Sequence, residues 1–184
     1  MSGDDPRVTD DWQVDDRVVA FETEYFEVGY DVVERPDGER SRYYWIEPAD
    51  VVAVVPVTDD GDIVLVEEYE PQLDGVTLGC PSGGIHDGES PADAARRELR
   101  EETGYVADDL TELLTYRPEQ WIRMDCTVFL AENLVEREPD RDEGEEIAVH
   151  TVPVEDAVDA TLAADVVHGA QVTPLTIAIA EGLS

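Results

Sequence analysis

Short apolar runs alternate with polar punctuation along this chain, and most of the runs are of strand length. Val51 to Val57 is almost wholly apolar, the pattern of a strand buried on both faces. Asp59-Asp60-Gly61 supplies a turn, and Ile63 to Tyr69 predicts the next strand. Upstream, strand-like material begins at Val18, and Phe26 to Glu47 reads as a β-hairpin turning at Asp37-Gly38. Downstream, Leu110 to Tyr116, Met124 to Ala131 and Ile147 to Val152 predict strands, with polar loops between them. Helices are expected from Pro153 through about Ala163 and from Gln171 to Gly182. Strands with helices on both sides predict an α/β/α sandwich with a mixed sheet. The expected boundaries are a polar lead-in over 1–16, a β-rich segment over 17–48 and the main domain over 49–184.

One stretch breaks the strand rhythm. Gly83 to Tyr105 reads as a glycine-rich loop, a helix and a stop. Ser90 suits the helix N-cap, Pro91 the first helical position, and Thr103-Gly104 the C-terminal stop. Glu98 and Glu102 stand four apart and share a helix face. Glu101 borders that face, and Arg97, four before it, can pair with it. Carboxylates this crowded repel one another unless a cation sits among them. Oxygen-only ligands favour a hard ion, Mg²⁺ or Mn²⁺. Glu98 and Glu102 are the first-choice metal ligands, and Glu101 is the next, as a ligand or as the group that orients one.

Charge narrows the partners. Forty-six acids against twelve basic residues give a formal net charge of −34, and every basic residue is arginine. Such a surface repels nucleic acid and anionic membranes. The acids are spread along the chain and interleaved with apolar runs, which points away from an acidic tail and towards adaptation to a high-salt cytoplasm. At 1 M salt the Debye length is about 3 Å, so self-repulsion is screened. No run of about 18 apolar residues suggests a membrane span, and the expected location is the cytoplasm. Cys80 and Cys126 form no metal pattern and are expected to be reduced and buried. His86, His150 and His168 are scattered and carry no assigned role.

Gly83, Glu89, Arg97, Glu98, Leu99, Glu101, Glu102, Gly104 and Tyr105 fall at the spacing of the Nudix hydrolase box, with Tyr105 where that family prefers an aliphatic residue. The chain resembles this family over most of its length, and in particular its ADP-ribose pyrophosphatase branch. The phrases that carry the branch resemblance are Glu68-Tyr69-Glu70-Pro71, Gly79-Cys80-Pro81-Ser82-Gly83, Arg117-Pro118, Phe129-Leu130-Ala131 and the acidic loop Asp142 to Ile147. Three features depart from it, one being that Pro118 falls slightly closer to the box than the branch's marker proline. Glu70 stands where the branch has arginine, and Gly79 where it has glutamate.

The resemblance implies a Nudix α/β/α fold and metal-dependent hydrolysis of a nucleoside diphosphate linked to another moiety, ADP-ribose first. It implies that the backbone carbonyl of Ser82 is a further metal ligand, that Glu143 is the base and Glu145 a ligand. Gly83, Glu89, Arg97 and Gly104 take structural roles in the box. Arg117 and Arg123 are candidate substrate contacts because cations are scarce. The β-rich N-terminal segment implies a homodimer. Two alternatives stay open: a Nudix hydrolase of another nucleotide (a nucleotide sugar, a dinucleotide or an oxidised nucleotide), and a non-catalytic nucleotide-binding Nudix domain.

Overall fold

The structure, a computed structural model, describes residues 12–137 and 146–183. Its elements follow one another as β1 (Gln13–Glu22), β2 (Phe26–Glu34), β3 (Arg40–Pro48), β4 (Val51–Pro56), β5 (Asp62–Glu70), β6 (Gly75–Gly79), β7 (Ser82–Gly84), α1 (Pro91–Glu98), a π-helical segment (Leu99–Thr103), β8 (Tyr105–Tyr116), β9 (Cys126–Glu136), β10 (Ala148–Pro153), α2 (Val154–Leu162) and α3 (Gly169–Ala180). They divide into two compact units, one running to Ala49 and taking in Glu119–Met124, the other holding Asp50–Pro118 and the chain from Asp125 onward.

In the N-terminal unit β1, β2 and β3 form an antiparallel sheet. The Asp37-Gly38 turn closes the expected hairpin, with Gly38 at φ 79°. β1 begins at Gln13, inside the stretch read as a polar lead-in. Trp45 is the buried centre of this unit. Its indole N–H donates to Asp31 at 2.9 Å, and the guanidiniums of Arg17 and Arg123 each lie 4.6 Å from its ring centroid. Arg123 also pairs with Asp31.

The larger unit is built around β4, whose Val52, Val54 and Val55 are fully buried. Period-two alternation explains how one strand serves two cores. Val52 and Val54 pack with Ala94, Ala95 and Leu99 of the box helix and with Phe129. Val55 packs on the other side with Leu65, Val128, Ala157 of α2, and Leu175 and Ala178 of α3. β4 lies antiparallel to β7 and parallel to β9, which continues to β8. β10, β5 and β6 form a second, antiparallel sheet. The mixed sheet between helices is the expected sandwich. No described helix is long and apolar enough to cross a membrane.

Three local expectations are corrected. Ser82-Gly83-Gly84 is a short strand paired with Ala53, Val52 and Val51, not a loop. β8 starts at Tyr105, directly after the helix stop. The box helix is not α-helical throughout, because it widens at Leu99–Thr103.

Candidate active site

The box builds its site by pressing a helix onto a glycine strand. Ser90 caps α1, its Oγ accepting from Asp93 N–H at 3.2 Å, and Pro91 opens the helix. Gly104, at φ 77°, closes the π segment, where a left-handed residue is needed. The glycine of β7 is required by packing. A Cβ on Gly83 would lie 2.0 Å from Glu98 Oε1 and 2.2 Å from its Cδ. With no side chain between them, the Glu98 carboxylate meets the strand backbone directly. Glu102 reaches the same strand one residue earlier, accepting from Ser82 N–H at 3.2 Å.

Arg97 organises the remaining acids. Its Nε and Nη2 donate to Glu89 Oε1 and Oε2 at 3.0 and 2.9 Å, a fork on a carboxylate. Nη2 also donates to the Gly84 carbonyl at 2.8 Å. Nη1 donates to Glu98 at 2.6 Å and to Glu101 at 3.1 Å. The hydrogen bonds from Arg97 pull the Glu89 carboxyl down to about 2, with the His86 N–H helping. The same glutamates hold the Arg97 guanidinium charged, Glu89 first and Glu98 next. Glu89 therefore couples the turn before α1 to the helix, and Gly84 ties β7 to both.

Sequence reasoning placed Glu89, Arg97, Glu98, Glu101, Glu102, Ser82 and Gly83 in one site, and the structure brings all seven together. Arg117 and Arg123 are committed elsewhere. Arg117 Nε donates to Asp125 at 2.8 Å, and Arg123 belongs to the Trp45 cluster of the N-terminal unit. Glu143 and Glu145 lie outside the described residues. Among the described residues no three acidic, imidazole or thiol side chains converge on a single metal-sized point. Their chemistry still fits a hard divalent ion. Glu98 and Glu102 present oxygen donors along two consecutive residues of β7, and Gly83 leaves that approach open.

A cleft adjoins these acids, with Ser82 and Glu102 at its edge, Glu68 and Glu70 of β5 and Gly79 of β6 along one side, and Gln171 of α3 on another. Glu70 and Gly79, the two departures from the branch pattern, thus share one cleft. Gln171 was not singled out from the sequence. Its only signal there is a polar residue at the start of a largely apolar helix.

The NUDIX domain matches residues 47–174. The chain belongs to the Nudix family. It is 36% identical over 129 residues to the ADP-ribose pyrophosphatase of Bacillus subtilis, a match covering 68% of this chain and 70% of that one. It is 40% identical over 83 residues to the ADP compounds hydrolase NudE of Escherichia coli, covering 44% of each. The solved structure of an ADP compounds hydrolase superposes with a TM-score of 0.81 at 26% identity, over 94% of this chain and 97% of that one. This Nudix chain therefore resembles enzymes of ADP compounds in both sequence and fold.

Proposed function

We propose that this Nudix protein hydrolyses the pyrophosphate bond of ADP-ribose, releasing AMP and ribose 5-phosphate. The observation that carries the proposal is the Arg97-centred array, which holds Glu98 and Glu101 beside Glu102 against the glycine strand. Glu98, Glu102 and the Ser82 carbonyl are assigned as the residues that hold Mg²⁺ or Mn²⁺, with Glu145 completing the set. A divalent ion bound there supplies charge neutralisation of the pyrophosphate and acidifies an attacking water. Glu101 orients its neighbours through Arg97. Glu143 is assigned as the base that takes the proton of that water. Arg97 neutralises part of the carboxylate charge, so the acids stand close together before substrate arrives. Arg117 is an exposed cation that a phosphate could draw from Asp125.

Glu70 and Gly79 favour one second reading, a nucleotide sugar as substrate. Both line the cleft beside Glu102, and a glutamate there repels phosphate while accepting hydroxyls. A panel of ADP-ribose, nucleotide sugars, dinucleotides and oxidised dGTP, with Mg²⁺ in molar KCl, tests both readings. AMP and ribose 5-phosphate from ADP-ribose, lost in Glu102→Gln, supports the first. Turnover of a nucleotide sugar alone selects the second, and no turnover by folded, metal-loaded protein defeats both.

The acid excess of a lysine-free chain supports adaptation to a high-salt cytoplasm. Thermal stability is expected to climb between dilute and molar KCl, and a flat response refutes this. We also assign a homodimer, on the strength of the extra β1–β3 sheet. A monomer by light scattering in molar KCl rules it out.

A further inference from the structure

The end of the box helix has a shape that the spacing of the box acids does not require. Leu99 to Thr103 is a π turn, and Gly104 closes it. Wide turns of this kind are rare, interrupt α-helices singly and gather at functional sites. This one carries Glu101 and Glu102, whereas Glu98 is the last residue of α1. The change of pitch therefore falls between the two glutamates that face β7.

Pitch decides where they point. In an unbroken α-helix, residues four apart are neighbours on one face. A wider turn rotates the second about the helix axis relative to the first. Here the Glu98 carboxylate lies against Gly83, and Glu102 Oε2 accepts from Ser82 N–H at 3.2 Å. The two carboxylates thus meet consecutive residues of one strand.

The wide turn has a clamp. Thr103 is buried, and its hydroxyl donates to the Leu99 carbonyl while accepting from Tyr105 N–H at 3.1 Å. In an α-helix the amide of Thr103 would serve the Leu99 carbonyl. A π turn shifts that amide to the carbonyl five residues back, and the side-chain hydroxyl takes its place. Both ends of the clamp are anchored. Leu99 is fully buried and packs with Val52, Val54 and Phe129. Tyr105 opens β8 opposite Glu136, and the Gly104 carbonyl accepts from Arg137 N–H at 2.7 Å. Glu102 sits inside this span.

Resting on Glu102 as a metal ligand, we propose that Thr103 is a positioning residue. Its hydroxyl holds the π turn, and the π turn sets the Glu102 carboxylate on Ser82 beside Glu98. Thr103 acts on the reaction through Glu102.

Backbone NMR of metal-free protein in molar KCl reads this position, because the Ser82 amide reports its bond to Glu102. Glu102→Gln marks the signal of a Ser82 amide that has lost the carboxylate. Thr103→Val, which keeps the shape and drops the hydroxyl, should move the Ser82 signal towards that mark. Thr103→Ser should return it to the wild-type position. Mn²⁺ binding, followed by electron paramagnetic resonance, should weaken roughly tenfold in Thr103→Val and recover in Thr103→Ser. A Ser82 amide that stays in place in folded Thr103→Val overturns the assignment. So does Mn²⁺ affinity that falls in Glu102→Gln but not in Thr103→Val, or that falls equally in the valine and serine variants. Wild-type protein supplies a check that needs no variant to fold. With isotope-labelled threonine, the Thr103 hydroxyl proton should exchange slowly with water, and a freely exchanging proton overturns the clamp. A Ser82 signal that moves as expected, while Glu102→Gln binds Mn²⁺ like wild type, would sink the ligand reading and leave the positioning role standing.

Discussion

Two arginines organise two parts of this molecule, and they do it differently. Arg97 sits between the box strand and the box helix and satisfies Glu89, Glu98, Glu101 and the Gly84 carbonyl at once. Arg123 shares the Trp45 ring with Arg17 and pairs with Asp31 in the N-terminal unit. The first gathers the acids that we propose hold the metal. The second spends its charge on an aromatic ring and a single buried acid, and what it secures is packing. In a chain without lysine, the planar guanidinium serves both purposes, forking onto carboxylates in one and stacking in the other.

The comparison breaks first at the box. Glu102→Gln is expected to lower turnover on the order of a thousandfold if Glu102 holds the metal as proposed, since losing such a ligand removes several kcal/mol of transition-state stabilisation. Its urea midpoint should stay near wild type. Arg97→Ala should damage both stability and activity, costing about 3 kcal/mol in chemical denaturation because it leaves partly buried acids unpaired. Arg97→Lys restores the charge without the fork and should recover only part of the loss. If Arg97→Ala behaves like an ordinary surface substitution, the hub assignment fails.

Arg123→Ala sharpens the contrast. It should cost about 1–2 kcal/mol through the lost cation–π and Asp31 contacts, with kcat on ADP-ribose within a factor of about two, well under 1 kcal/mol. A large loss of turnover in this variant would mean that the two arginines are not functionally separate.

The smallest effect is read with pH. The Glu89 carboxyl is held at about 2, below its ordinary 4.5, chiefly by hydrogen bonds from Arg97. A carboxyl depressed by folding contributes stability that is fully present above about 4.5 and is lost as pH falls towards 2. Glu89→Gln should therefore be less stable than wild type at pH 6, and the gap should narrow through that window. Urea melts at pH 6, 4 and 2.5 measure it, and a gap that stays constant contradicts the pairing.

Much of the site was legible because it is local. From Gly83 to Gly104 the chain writes a cap, a helix, a stop and its acids at spacings that backbone geometry converts directly into neighbours. The Ser90 cap, the Arg97–Glu101 pair and the left-handed Gly104 all follow from positions a few residues apart. The π segment did not follow, since propensity over Leu99 to Thr103 supports an ordinary α-helix and the wider turn is a choice made in the packed structure. Likewise Gly83-Gly84 reads as a loop in isolation and becomes a strand only when β4 offers it a ladder.

By itself, then, the sequence determined the alternation of strands and helices, the doubly buried β4 and the composition of the box. Hydrophobic period and short-range spacing act within a few residues and need no knowledge of the rest of the chain. Tertiary structure alone decided which distant groups meet. It brought Arg123 to Asp31 and Trp45, set Gln171 in the space above Gly79, and placed Glu70 in the cleft with Glu102. Such pairings depend on how the sheets and helices close over long stretches of chain, and no local pattern records that closure.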